Sequence, residues 1–361
     1  MQLIADRRYL HRIPELDIDL PETIAYVKES LRGLRCRVFT PAQATVCAFF
    51  DFGADSALAF RADMDALPIT ETNDVPYASC HPGRMHACGH DGHTAMLLEL
   101  ARQLDKLSSN AKNILLVFQP AEESTGGAWR VCGSGVFEDC HVEAIFGLHL
   151  WPGLPAGTVH SRAEELMARA SEVNVDIYGK SAHIARSWEG IDALAIGTEF
   201  YRRAVAMERA LPEHIFRLLK FGKMESGQVR NALSAHTHLE GSLRAFQDEI
   251  FDDMKEGLYA IGRDLEAEFG CTVKIDINSG YPAVMNPTPL YDRVRQTVEF
   301  AELPEPAMTA EDFAFYQRRL PGLFFFLGTG DSPALHTSNF DFDDSLLAVG
   351  ADFFLRLATT L

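Results

Sequence analysis

The sequence of 361 residues has little positive charge and no long apolar run. Lysine and arginine number 33 against 51 aspartate and glutamate residues, which gives a formal net charge of −18. Without a compensating Lys/Arg cluster, this charge disfavours nucleic acid and anionic membrane surfaces as partners. The sequence also lacks a signal-peptide-like start and any stretch of about 18 apolar residues that could cross a membrane. We therefore expect a cytoplasmic protein.

The cysteine pattern argues against a disulfide-based fold. Seven cysteines are scattered over the chain, which fits a reducing compartment better than a disulfide framework. Internal repeats and low-complexity segments are also missing. The composition, with 47% hydrophobic and 23% charged residues, is ordinary for a globular protein, and the length allows two domains.

One short stretch has the composition of a metal site. Residues 85–93 read MHACGHDGH and contain one thiol, three imidazoles and a carboxylate just before a predicted helix. Thiolate and imidazole ligands suit zinc, cobalt, nickel or manganese better than calcium. A structural zinc finger would need a second Cys/His pair of similar spacing, and none follows. The remaining ligands must come from distant parts of the chain, as in a catalytic site.

Polar residues follow several predicted strands where each strand ends. These residues are Asp63 and Asp65 after strand 57–62, Glu122 and Glu123 after strand 113–118, His149 at the end of the strand that begins at 144, and His336 after strand 323–327. Open α/β sheets bind ligands at the carboxyl ends of their strands. Asp63 and Asp65 could each bind metal, orient a ligand or cap a turn. For His11, near the N-terminus, nothing nearby completes a site, so we predict a local structural role.

The segment between residues 170 and 282 has a different pattern. Its predicted elements follow the order β-α-β-β-α-β, which is typical of a ferredoxin-like domain. The α/β pattern resumes afterwards around His336, which indicates an insertion. We therefore predict an α/β protein with a mostly parallel catalytic sheet covered by helices on both faces (residues 1–169 and 283–361) and an inserted ferredoxin-like α+β domain (170–282).

A dinuclear metal site would explain the scattered polar residues. Its ligands would be Cys88, His90, one of Glu122 and Glu123, His149 and His336. Such a set could hold two divalent cations that share a water molecule. One of the adjacent glutamates would then bind metal while its neighbour acts as general base. The alternative is that the glutamates are an exposed acidic pair at the start of a helix.

Taken together, the motifs resemble a family of metal-dependent amidohydrolases. The family contains hippurate hydrolase, the indoleacetyl-amino-acid hydrolases, and bacterial N-acetylcysteine and N-acetyldiaminopimelate deacetylases, and it is related to aminoacylase and carboxypeptidase G. The matching motifs, in order over essentially the whole chain, are RRYLHRIPEL from Arg7, RADMDALP from Arg61, MHACGHDGH from Met85, FQPAEE from Phe118 with Gly126-Gly127, Gly147-Leu148-His149, Glu311-Asp312-Phe313 and Leu335-His336.

The resemblance implies specific roles in the catalytic domain. It assigns two divalent metal ions per subunit, with zinc, manganese, nickel or cobalt as candidates, to Cys88, His90, Glu123, His149 and His336. It assigns the general base to Glu122, which would take a proton from a metal-bridged water as hydroxide attacks the amide. The expected reaction is hydrolysis of an N-acyl amino acid to the free amino acid and a carboxylate.

The inserted domain resembles the family's lid domain, through which two subunits also form a homodimer. Gly179 to His183 match the lid motif, and His183 would reach the other subunit's site and polarise the scissile carbonyl. Asn231 and Arg244 lie in stretches that resemble the residues gripping the substrate's carboxylate end. The usual Pro-His pair after His183 is here Ser187-Trp188, and the usual Asn-Val-Ile-Pro is here residues 231–234, NALS. These departures bear on the substrate, because the lid lines the pocket.

Two other functions are compatible with these residues. A dipeptidase or aminopeptidase of the same family would need an acidic group to recognise a free substrate amine. A non-catalytic homologue would bind metal or N-acyl amino acids without turnover, and its signature would be a lost ligand or base. None of the expected ligands is missing, nor is Glu122, which favours the enzyme.

Overall fold

The computed structural model describes residues 2–361, which divide into two compact units. The larger unit comprises residues 2–166, Met285–Glu305 and Asp312–Leu361, and the smaller unit comprises Met167–Val284 and Pro306–Glu311. The predicted bounds of the inserted domain, residues 170–282, stay a prediction. None of the helices in residues 2–361 is both long and apolar enough to cross a membrane.

The elements are numbered in chain order. The helices are α1 (Gln2–Arg12), α2 (Pro21–Ser30), α3 (His90–Lys106), α4 (Ala128–Gly133), α5 (Val136–Asp139), α6 (Ala193–Ala210), α7 (Asp248–Phe269), α8 (Thr288–Arg295), α9 (Ala314–Gln317) and α10 (Leu347–Thr360), with 3₁₀ helices at Ile184–Glu189 and Asp344–Leu346. The strands are β1 (Arg37–Phe39), β2 (Val46–Phe50), β3 (Ala57–Asp63), β4 (Asn113–Gln119), β5 (Val142–Trp151), β6 (Val159–Ser161), β7 (Glu164–Met167), β8 (Arg169–Tyr178), β9 (Arg217–Ser226), β10 (His236–Ala245), β11 (Thr272–Ile277), β12 (Val284–Asn286), β13 (Ala301–Glu302) and β14 (Gly322–Gly328).

The larger unit is built on an eight-stranded sheet in the order β1-β2-β4-β3-β5-β14-β6-β13. Its central strands β4, β3, β5 and β14 run parallel to one another. Every residue of β3, β4 and β14 is buried, as expected for parallel strands covered on both faces. The predicted fold class, a mainly parallel α/β sheet with a second α+β unit, is confirmed.

The smaller unit has a four-stranded antiparallel sheet in the order β11-β8-β10-β9. Alternate side chains of β8, namely Val173, Val175 and Ile177, are buried against α6 and α7. This period of two is the pattern of a sheet with one covered face. The chain order β8-α6-β9-β10-α7-β11 is the ferredoxin-like order that the sequence predicts.

The carboxyl ends of the central parallel strands lie at one edge of the large sheet. β3 ends at Asp63, β4 ends at Gln119, and α3 begins at His90. Gly89, the residue before α3, has φ +84°, a conformation that glycine adopts without steric cost. Gly127 is constrained differently, because a Cβ there would lie 1.8 Å from the carbonyl oxygen of Pro120. These glycines allow tight turns beside the predicted site residues.

A buried cluster of charges joins α1 to the start of α3. Arg7 Nε lies 2.9 Å from Asp91 Oδ2, and the same oxygen lies 2.8 Å from His11 Nδ1. His11 Nε2 lies 3.1 Å from Glu71 Oε1, so both ring nitrogens face carboxylates. Burial opposes the charged imidazole, but Asp91 and Glu71 outweigh it and raise the pKa of His11 to about 9. His11 is therefore structural, but its partners are 80 and 60 residues away rather than local.

The contribution of His11 to stability should depend on pH. Its pKa is about 9 in the folded protein and about 6.5 in an unfolded chain, so the stabilisation is complete below about pH 6.5 and is lost as the pH rises through about 9. We expect His11→Gln to lower the thermal unfolding midpoint clearly at neutral pH and much less at about pH 10. The exposed His214→Gln variant is the control. A deficit of His11→Gln that is the same at every pH would contradict this account.

Candidate metal centre

Cys88 lies at the centre of a group of potential ligand atoms. Its Sγ is 3.3 Å from His149 Nε2 and 3.3 Å from His336 Nε2. Glu123 Oε1 lies 3.1 Å from the same His336 nitrogen and 3.8 Å from His90 Nε2. Two triples result, Cys88-His90-His149 and Cys88-Glu123-His336, and within each the ligand atoms lie within 4.8 Å of one another. Both triples contain the sulfur of Cys88, so a cation held by either triple would be next to it.

The structure thus brings together every residue that the sequence predicts as a metal ligand. Glu122 joins the same group, since its carboxylate lies within 4.8 Å of ligand atoms of His90 and Glu123. The contributing segments are the loop before α3, the start of α3, the loop after β4, the end of β5 and the loop after β14. Segments so far apart in the chain meet because the central strands end at the same sheet edge.

The hydrogen bonding of His90 fits a bound cation. Its side chain is buried, yet neither ring nitrogen has a hydrogen-bond partner. Buried polar atoms nearly always have one, so this imidazole lacks something that a metal ion would provide. Burial opposes the charged ring, but Asp63, Asp65 and Glu123 outweigh it and raise the pKa of His90 to about 10. The surroundings of this ring therefore favour positive charge.

The chemistry of Cys88 leads to the same conclusion. Burial, together with the Glu123 and Glu122 carboxylates, raises the pKa of its thiol well above the usual range. A thiolate at this position therefore requires a compensating cation. One sulfur, several imidazole nitrogens and a carboxylate form a donor set that suits zinc and similar transition metals. The residues present fit divalent cations.

His149 presents one nitrogen lone pair towards Cys88. Its Nδ1 lies 2.6 Å from the carbonyl oxygen of Leu150, which can only accept a hydrogen bond. The proton of the neutral ring is therefore on Nδ1, and Nε2 is left unprotonated beside Cys88 Sγ. Burial lowers the pKa of His149 well below its usual value, in keeping with a neutral ring. A neutral imidazole in this tautomer is the form that binds metals.

The backbone at His336 is strained and tied to the Cys88 segment. His336 has φ +62°, a left-handed conformation that residues other than glycine rarely adopt. Its amide nitrogen donates a hydrogen bond of 2.8 Å to the carbonyl of Ala87, next to Cys88. Strain of this kind persists where the surrounding structure imposes it, often at functional sites.

Asp65 positions both glutamates through their backbones. One carboxylate oxygen accepts from the Glu122 amide at 2.9 Å, and the other accepts from the Glu123 amide at 3.0 Å. The preceding residue, Ala121, has φ +60°, so successive N–H groups converge on one anion. Of the roles that the sequence leaves open for Asp65, the structure shows the cap of a turn, because both bonds come from successive backbone amides. The sequence signal for this contact was the position of Asp65 just past β3, which pairs with the strand that leads to Glu122.

Asp63 has two side-chain partners, and the sequence signals one of them. Its Oδ1 lies 2.6 Å from His93 Nδ1, and its Oδ2 accepts from Arg61 Nη1 at 2.7 Å. Arg61 also donates to Asp312 Oδ1 at 2.8 Å, and all these side chains are buried. Burial opposes ionisation of Asp63, but His90, Arg61 and His93 hold its pKa well below the usual value. The alternation Arg61-x-Asp63, which places both side chains on one strand face, was a signal for the ion pair.

Within the smaller unit, the structure brings His183 and Asn231 together. Ile184 donates its amide to the carbonyl of Asn231 at 3.0 Å, and His183 forms a β-bridge with Ala232. His183 Nδ1 accepts from the amide of Ala185 at 3.2 Å, so the proton of a neutral ring is on Nε2. His183 can therefore act as a hydrogen-bond donor.

Arg244 lies elsewhere in the same unit. It is near the far end of β10, eight residues past His236, which corresponds to about 26 Å along the strand. Its guanidinium donates to the carbonyl of Met308 and, through Nε, to Ser242 Oγ at 3.3 Å. The three residues predicted for substrate contacts thus do not form one cluster within a single chain.

Comparisons with known proteins agree on one family. Residues 59–360 match the model for peptidase family M20/M25/M40. The chain is 35% identical over 364 residues to an N-acetyldiaminopimelate deacetylase from Lacticaseibacillus paracasei, covering 96% of this chain and 94% of the relative. It is 35% identical over 368 residues to an N-acetyl-L-cysteine deacetylase from Bacillus subtilis, covering 98% of this chain and 86% of the relative. A crystal structure of a dinuclear metal binding peptidase from the M20 family of B. subtilis matches with TM-score 0.85 and 29% identity, covering 99% of this chain and 96% of that chain.

Removing Cys88 should weaken binding at both cation positions. Because its sulfur belongs to both triples, we expect Cys88→Ala to retain less than about half of the wild-type metal after dialysis against metal-free buffer. Mass spectrometry of the metals, normalised to protein, provides the measurement. Cys80→Ala, which removes an exposed cysteine, should keep full occupancy. Wild-type metal content in Cys88→Ala would show that the thiol is not a shared ligand.

Proposed function

This chain belongs to peptidase family M20/M25/M40 and is a metal-dependent amidohydrolase, and from that premise we propose that it hydrolyses N-acyl amino acids to the free amino acid and a carboxylate. The observation that carries the proposal is the convergence of Cys88, the imidazoles and the adjacent glutamates in one group of potential ligand atoms. The names of the two relatives, deacetylases of N-acetyldiaminopimelate and N-acetyl-L-cysteine, support the substrate class.

The cofactor in this proposal is a pair of divalent cations. We assign them to Cys88, His90, Glu123, His149 and His336, with zinc, manganese, nickel and cobalt as candidate metals. The dinuclear metal binding relative supports the number. Bound there, the cations would polarise the amide carbonyl and lower the pKa of water towards about 7.

Glu122 is the proposed general base. Its amide is fixed by Asp65, and its Oε1 lies 3.4 Å from the amide nitrogen of Asp312. Its carboxylate is therefore held beside His90 and Glu123, where it can take the proton of the attacking water. The same carboxylate would then deliver that proton to the departing nitrogen. Glu123, held by the same aspartate, would keep its carboxylate for metal binding.

We propose that His183 acts in a homodimer. With its proton on Nε2, it can donate a hydrogen bond to the scissile carbonyl of the other subunit's substrate. His183 pairs with Ala232 just before β10 begins, and Arg244 lies about 26 Å further along that strand. This separation supports the arrangement, because one small substrate cannot contact both ends of one sheet. Asn231, which lies beside His183, and Arg244 are assigned to the carboxylate end of the substrate.

Amine release from a panel of substrates tests the proposed reaction. The panel contains N-acetyl, N-benzoyl and N-succinyl forms of cysteine, diaminopimelate, methionine and aromatic amino acids, together with free-amine dipeptides. Each is assayed with manganese, zinc, cobalt, nickel or a chelator. We expect metal-dependent turnover of N-acyl amino acids and none with chelator. Turnover of dipeptides alone would favour a dipeptidase, and binding without turnover would favour a non-catalytic homologue.

Glu122→Gln should separate catalysis from metal binding. The amide keeps the size of the side chain but cannot accept the proton, so turnover should fall by about 10² to 10⁴. Metal content and the thermal unfolding midpoint should stay at wild-type values. Glu305→Gln, at an exposed glutamate, is the matched control. Substantial activity in metal-loaded Glu122→Gln would rule out this residue as the base.

A further inference from the structure

Both ring nitrogens of His93 are engaged, although none of the proposed catalytic roles uses this residue. His93 is buried in the first turn of α3. Its Nε2 lies 2.9 Å from the amide nitrogen of Leu150, and its Nδ1 lies 2.6 Å from Asp63 Oδ1. A backbone amide can only donate, so Nε2 accepts and the ring proton is on Nδ1, directed at Asp63. The contacts thus specify one tautomer.

Leu150 connects His93 to His149. β3 pairs with β5 only as far as Gly147, so the Leu150 amide lies beyond that ladder, where His93 accepts from it. The carbonyl of the same residue accepts from His149 Nδ1 at 2.6 Å. The backbone of Leu150 is therefore joined to His93 through its N–H group and to the His149 ring through its carbonyl. A shift of this backbone would turn the His149 ring away from Cys88.

The support of His93 extends further into the protein. Asp63, which accepts from His93, is held at its other oxygen by Arg61 at 2.7 Å. Arg61 is in turn held by Asp312 at 2.8 Å. The side chains of Arg61, Asp63 and Asp312 are at most 2% exposed, so water does not compete for these bonds. A fixed network therefore anchors the ring.

His93 could alternatively be a metal ligand, because ligand atoms of Asp63, His90 and His93 lie within 4.8 Å of one another. The hydrogen bonds argue against that role. The only lone pair on the His93 ring is used by the Leu150 amide, whereas His90 has no hydrogen-bond partner at either nitrogen. Binding of a cation by His93 would therefore leave a buried backbone amide unsatisfied, which is costly.

We propose that His93 is a positioning residue that holds the Leu150 backbone so that His149 keeps its proton on Nδ1 and presents Nε2 beside Cys88. The relevance to catalysis rests on the proposed function, since the cation at His149 is one of those assigned there. Residues that orient a metal ligand typically contribute about 10- to 100-fold to metal affinity. His93 would contribute in this way without touching the metal.

Two substitutions separate the hydrogen bonds of His93. In His93→Gln the side-chain amide reaches the position of Nε2 and can still accept from Leu150, whereas in His93→Asn it reaches only the position of Nδ1 and Asp63. We expect His93→Asn to weaken zinc binding by about 10- to 100-fold, and His93→Gln to retain clearly more of the wild-type affinity. Affinity is measured on metal-stripped full-length protein by competition with a chromogenic chelator. The absorption spectrum of the cobalt-loaded protein should change more in His93→Asn than in His93→Gln.

One control variant and two possible results test the proposal further. His160→Asn alters another buried histidine, which contacts Thr158 instead, and should bind zinc like the wild type. Wild-type affinity in His93→Asn would overturn the proposal. Loss of one full equivalent of zinc in both His93 variants would also overturn it, because it would make His93 a ligand. These measurements need no substrate, so they stand even if the N-acyl amino acid panel shows no turnover.

A measurement on the wild-type protein decides the case in which the variants do not fold. Long-range ¹H–¹⁵N NMR of the histidine side chains reports which ring nitrogen is protonated. We expect the proton of His93 on Nδ1 and that of His149 on Nδ1. A proton on Nε2 of His93 would overturn the proposal, because that nitrogen could not then accept from Leu150.

Discussion

The larger unit must compensate negative charge that is buried where its central strands end. Asp63, Asp65, Glu122 and Asp312 are all buried there, and buried carboxylates are stable only when paired or hydrogen-bonded. Arg61 neutralises Asp63 and Asp312, and backbone amides satisfy Asp65. Near Cys88 and the two glutamates lie the rings of His90, His149 and His336. That imbalance fits the divalent cations proposed for this end of the sheet, and the proposed chemistry depends on it.

The backbone provides much of the precision at this site. The Glu122 and Glu123 amides are held by Asp65, the Leu150 amide by His93, and the His336 amide by Ala87. Each bond fixes backbone rather than a flexible side chain, in β5 for Leu150 and in loops for the other three residues. Backbone held in this way keeps the neighbouring side chains oriented. Left-handed residues such as Ala121 and His336 are tolerated because these bonds compensate their strain.

The smaller unit contains the departures from the family pattern, and the structure gives them physical meaning. Ser234, at the position where proline is usual, is buried, and its hydroxyl lies 2.8 Å from Ser226 Oγ and 2.7 Å from the carbonyl of His236. It therefore joins β9 to the start of β10 by hydrogen bonds. Trp188 is 77% exposed in the 3₁₀ helix that follows His183.

The sequence by itself determined the composition of the metal stretch, the strands that precede Asp63, Glu122 and His149, and the ferredoxin-like order of the smaller unit. These features are encoded locally, because ligand chemistry and the periods of strands and helices are visible within short segments. Only the tertiary structure decided that Asp65 holds two amides, that His11 pairs with Asp91, and that His93 supports Leu150. Such partners lie far apart in the chain, 30 residues for His93 and Asp63 and 251 for Arg61 and Asp312. A pattern in sequence identifies a residue type at a strand end, but hydrogen bonds and tautomers depend on distances that exist only after distant segments have packed together.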